Sequence, residues 1–137
     1  MSVELSHHGA LIYIMVTMSA VDRKMTDAEL ARIGDIVSQL PVFKDFDAEQ
    51  LVYTAEECGE ILSADGGLDA VLDLVGKALP KRLRETAYAL AVEVAAADLD
   101  VRPEETRFLE LLSDALELDA LATTAIERGA RARHATV

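Results

Sequence analysis

The sequence predicts an all-α protein of about seven helices. Helix-forming residues dominate its 137 positions, and the seven glycines and three prolines fall at a few punctuation points. Nowhere do apolar and polar residues alternate long enough to suggest a half-buried strand. The length suits one domain over residues 1–137, able to bury a core without metal or disulfide staples. An apolar content of 51% with no low-complexity tract argues against a disordered chain.

The first helix is expected over about residues 6–21. Its stretch ALIYIMVTMSAV, residues 10–21, is apolar nearly all round, as a helix in the middle of a bundle would be. It is well short of the ~20 residues a membrane span needs. No basic segment precedes it and no small-residue cleavage site follows, so a cytoplasmic protein is expected. The second helix starts near Thr26, where TDAE offers a capping box of Thr26 with Glu29, and runs to about Leu40 before Pro41. Its stripe is Leu30, Ile33, Ile36 and Val37. Asp47 caps a third helix that turns Leu51, Val52, Ala55, Cys58 and Ile61 inward and stops at DGG, residues 65–67, the expected seam between two halves. Leu68, Val71, Leu72 and Val75 mark a short fourth helix. Pro80 opens a fifth, to about Ala97, with Leu83, Ala87, Leu90 and Val94 inward. Pro103 is an N1 proline for a sixth helix carrying Phe108, Leu109 and Leu112, and the seventh covers roughly Asp119 to Arg131.

Twenty-five acidic against thirteen basic side chains give a net charge of −12. That balance opposes attraction to nucleic acid and to anionic lipid, and points to cations or basic partners. Cys58 is the one cysteine, which excludes an intrachain disulfide and suits a small buried apolar role in a reducing compartment. With His7, His8 and His134 it makes no zinc-ligand spacing, and the His7–His8 pair is expected to be solvated. Lys77, Lys81, Arg82 and Arg84 gather around Pro80, which fits a solvated junction or a contact for an acidic partner. Arg128, Arg131 and Arg133 close the last helix, where cations complement its dipole. No nucleophile motif or glycine-rich phosphate loop is present.

A displacement of 76 residues superposes the two halves. Ile14 meets Leu90, Val16 meets Val92, Met18 meets Val94, Ala20 meets Ala96, Ile33 meets Leu109 and Ile36 meets Leu112. Between them AVDRKMTDAE (residues 20–29) meets AADLDVRPEE (residues 96–105), each with an Asp seven positions before a Glu. We read two diverged helix-turn-helix repeats in a pseudo-twofold arrangement, with the two apolar first helices packed at the centre.

The four acids of these joints differ in what explains them. Glu29 and Glu105 fall in the first turn of a helix, where free amides and the dipole favour a carboxylate. Asp22 and Asp98 close the preceding helix, where the dipole disfavours an anion by roughly 0.3–1 kcal/mol. Either each Asp caps its turn by bonding nearby amides, or each folds back toward the next Glu in a carboxylate cluster suited to Ca2+ or Mg2+. An EF-hand loop fails: begun at Asp98 it places Arg102 fifth and Leu109 twelfth, and begun at Asp65 it places Gly76 twelfth.

AADLDVRPEE with the following TRFLELLSDALEL, and the earlier copy from Ala20 to Leu40, resembles the bacterial tellurite resistance protein TerB and TerB-like domains over roughly residues 8–130. The resemblance implies an all-helical, internally pseudo-symmetric fold, a part in tellurite and general stress resistance, and a divalent-metal site at Asp22, Glu29, Asp98 and Glu105. Where the family often carries glycine after the Asp, this chain has Arg23 and Leu99, for which a left-handed turn is costlier. Asp100 offers a further carboxylate in the second joint, whereas Lys24 stands at the matching place in the first.

The leading expectation is a non-enzymatic, cytoplasmic TerB-like module that holds a divalent cation at the paired joints. It serves protein partners in a stress-resistance assembly, with the periphery of the inner membrane as its alternative location. The second is a metal-free helical interaction module whose acidic face engages a basic partner. The third is metal-assisted hydrolysis at the clustered acids.

Overall fold

Every residue from Gly9 to Ser19 is buried, so the first helix is surrounded by the others as its all-round apolarity predicts. The computed structural model describes residues 5–21, 25–96 and 102–137, with seven α-helices and three short 3-10 turns among them. The helices are α1 (His7–Ala20), α2 (Asp27–Gln39), α3 (Leu51–Ser63), α4 (Gly67–Ala78), α5 (Arg84–Ala96), α6 (Pro103–Ala115) and α7 (Ala120–Arg133). The described residues hold no strand.

α1 packs against α2, α3, α4 and α5, while α5 packs against α1, α6 and α7. The two apolar first helices therefore meet at the centre, with Leu11, Ile12, Ile14 and Met15 of α1 and Ala87, Leu90 and Ala91 of α5 in one buried cluster. The Thr17 hydroxyl, buried among them, donates to the Tyr13 carbonyl at 2.7 Å and lies 3.7 Å from Cys58 Sγ. A polar side chain is thus tolerated on a fully enclosed helix.

Asp47 accepts from the Glu49 N–H at the 3-10 turn that leads into α3, and Asp119 accepts from Ala122 at the start of α7. Ser6 Oγ accepts the Gly9 N–H, a cap that sequence patterning missed. Gly66 takes the left-handed conformation, φ 72°, that turns α3 into α4. Gly67 is needed for a different reason: a Cβ there would lie 2.2 Å from the Ile61 carbonyl oxygen, so the chain doubles back on itself with no room for a side chain.

Several expectations need correcting. Val52 faces outward, 51% exposed, because the buried stripe of α3 is Leu51, Ala55 and Cys58. His8 is half-buried rather than solvated: Nε2 lies 2.7 Å from the Val42 carbonyl and the ring packs on Phe43 and Phe46. Arg84 leaves the supposed basic patch to reach the Leu116 carbonyl at 3.3 Å and Glu117 at 3.7 Å. The repeat register also shifts. The first residues of α2 and α6, Asp27 and Pro103, stand 76 apart, yet their buried anchors, Ile33 and Val37 against Phe108 and Leu112, stand 75 apart. The inward face of α6 therefore begins one residue earlier, about 100° around the helix, and Leu109 is only partly buried.

Candidate functional site

Each joint is built by the start of a helix. In the first, the Thr26 N–H donates to Glu29 Oε1 at 2.9 Å and the Glu29 N–H donates to Thr26 Oγ1 at 3.2 Å, completing the predicted capping box. In the second, the Arg102 N–H donates to Glu105 Oε1 at 3.1 Å. The reciprocal side-chain arm is absent there, because arginine has no acceptor, and the Glu105 N–H donates to the Arg102 carbonyl instead. Glu105 is 5% exposed while Glu29 is half-buried. A buried carboxylate is costly unless hydrogen-bonded, and its place at a helix N-terminus supplies both amides and dipole.

Asp22 and Asp98 lie outside the described residues, as do Arg23, Lys24, Leu99 and Asp100. The structure therefore places two of the four predicted ligands, each at the third position of its helix. Three residues before Asp22, the Ser19 hydroxyl is buried with no hydrogen-bond partner among the described residues, a cost of about 1–3 kcal/mol.

Beside each joint lies a groove. The first, about 740 Å3, is lined by Val16, Ala20, Leu30, Ala55 and Gly59. The second, about 770 Å3, is lined by Val92, Ala96 and Thr106, the residues 76 positions after Val16, Ala20 and Leu30, together with residues of α7. Behind them the two halves use the same polar tie. Tyr13 donates to Glu57 Oε1 and Tyr88 to Glu127 Oε1, both at 2.8 Å. Burial, then the hydrogen bond and charge of the glutamate, pushes each phenol's pKa up. Sequence patterning missed both ties, although Tyr13 and Tyr88 stand 75 residues apart in a chain with only three tyrosines.

The second half adds a clamp. Arg133 and His134, at the end of α7, bond the two carboxylate oxygens of Glu93 on α5, His134 at 2.8 Å. Burial works against the Glu93 charge, but these two partners outweigh it and hold the carboxyl below its ordinary value. Arg133 thus does more than complement the α7 dipole.

A family model, that of the tellurite resistance protein TerB, matches residues 8–128. The chain belongs to the TerB family. No curated protein and no solved structure gives a significant match. The TerB match includes both acidic joints and both Tyr–Glu ties, and it ends before Arg133 and His134, so the Glu93 clamp extends past it. Among the described residues of this TerB-family chain, no helix is long and apolar enough to cross a membrane.

Proposed function

We propose that this chain is a non-catalytic TerB module of tellurite and stress resistance that binds a divalent cation, Ca2+ or Mg2+, through Asp22, Glu29, Asp98 and Glu105. The observation that carries this reading is the repeated placement of a glutamate at the third position of α2 and of α6, each directly after one of the two helices that pack at the centre. Each glutamate spends one oxygen on its own N-cap amide. An aspartate brought in from the preceding joint would complete an all-oxygen set suited to a hard cation. Such a cation would relieve the repulsion among four carboxylates and draw the joints together. That would couple its occupancy to the shape the module presents to a stress-resistance assembly.

Calorimetric titration with Ca2+, Mg2+, Mn2+ and Zn2+ tests the reading. The wild type is expected to bind at least one of them, and Asp22→Asn/Asp98→Asn to lose that binding while keeping its helical circular dichroism. A wild type that binds none of the four, or a double variant that binds as well, removes the cation from the proposal.

A further inference from the structure

We propose that the groove between α1, α2 and α3 is the docking site for an amphipathic helix of a partner protein, with an apolar stripe and an arginine- or lysine-rich flank. The trough exists because small residues, Ala20, Ala55 and Gly59, line it between the larger Val16, Leu30 and Leu62. Gly59 is the informative one. Glycine is the least favourable helix residue after proline, yet among the described residues a Cβ at Gly59 would meet no atom within 4 Å beyond its own helix backbone, so their packing does not require it. Space left open in mid-helix suits the close approach of another backbone or a long side chain.

The second half of the molecule indicates what fills that space. Glu57-Cys58-Gly59 on α3 corresponds to Glu127-Arg128-Gly129 on α7, because Glu57 and Glu127 accept the equivalent tyrosine bonds. At Gly129 a Cβ would lie 3.5 Å from Nη1 of Arg133, so there the chain lays its own guanidinium over the glycine. That contact lies outside the second groove, whose own lining includes the basic side chains of Arg131 and His134. α3 carries no lysine or arginine, and Glu56 and Glu60 on the first groove make no side-chain bond or ion pair among the described residues. Among the described residues no lysine, arginine or histidine lines the first groove, whereas Arg131 and His134 line the second. An apolar floor and an acidic rim call for apolar anchors at i, i+3 or i+4, and i+7, flanked by positive charge. An anionic lipid surface is disfavoured by that same rim.

This inference gives a chemistry to the partner that the assembly part of the proposed function requires. It is tested in EDTA so that it fails or stands apart from the cation. The probe is a synthetic amphipathic peptide of about 15 residues with a leucine stripe and arginine flanks; an isomer with glutamate flanks and phosphatidylserine vesicles serve as comparisons. Amide NMR shifts on adding the arginine peptide are expected to cluster on α2, α3 and the end of α1. Gly59→Leu fills the trough and raises helix propensity, and should weaken binding by about tenfold or more. Glu56→Lys/Glu60→Lys changes only exposed positions and should transfer the preference to the glutamate peptide. The inference is overturned if neither peptide binds, if Gly59→Leu binds as the wild type does, if shifts spread over the whole acidic surface, or if vesicles bind in preference to the peptide. Loss of peptide binding with intact cation binding removes the groove alone, and the reverse removes the cation alone.

Discussion

Ser19 and the two tyrosine ties show how single side chains on the central helices are satisfied or left wanting. The Ser19 hydroxyl, buried without a partner among the described residues, makes Ser19→Ala a stabilising change by about 1 kcal/mol in urea denaturation. A loss of stability instead would mean that the first joint supplies the hydroxyl with a partner in solution. Tyr88→Phe removes a bond to a carboxylate and leaves the ring packed, so a destabilisation of about 1 kcal/mol is expected. Tyr13→Phe should match it, because the tie to Glu57 has the same length and a similar setting. Cys58 is fully buried, as its isolation in the sequence suggests, and burial, opposed by the Thr17 hydroxyl and reinforced by Glu57, pushes its thiol up to about 11.

The helix starts were legible because each carries its own chemistry: Thr26 with Glu29, Asp47, Pro103 and Asp119 all stand where a helix or its first turn begins. The faces were less legible. Val52 reads as an inward residue by spacing, but which edge of α3 is covered depends on where α1 and α4 lie, and that is settled by residues far away in the chain. His8 is caught by Phe43 and Phe46 for the same reason. The turn at Gly66 and Gly67 was readable as a stop, though not the reason for its second glycine. Gly67→Ala forces a methyl against the Ile61 carbonyl and should cost several kcal/mol, lowering the thermal midpoint of the whole chain. Gly66→Ala, strained only by its positive φ, should cost about 1 kcal/mol. Equal losses at the two sites would contradict this assignment.

Across the whole molecule, the expected repeat reads as a 76-residue displacement; three groove-lining positions of α1 and α2 keep it, while the inward faces of α2 and α6 stand 75 apart and the tyrosine-bonded glutamates of α3 and α7 stand 70 apart. The tie between Glu93 and the end of α7 was hidden because its partners lie 40 and 41 residues away and share no motif. It predicts a pH dependence. The folded state lowers the Glu93 pKa, so the stabilisation is present above the ordinary value of 4.5 and is lost as pH falls through the lowered one. Glu93→Gln should therefore flatten the fall in stability below about pH 4.5, as followed by urea midpoints at successive pH values. Of the four acids, Glu29 and Glu105 stand at the helix starts where the sequence puts them, and the proposed cation also needs Asp22 and Asp98, which lie outside the described residues. A crystal structure grown with Mn2+, whose anomalous scattering marks the ion, measures that chemistry most directly. The account predicts an anomalous peak bonded by Asp22, Glu29, Asp98 and Glu105; a map without such a peak, with Asp22 and Asp98 turned to bulk water, would contradict it.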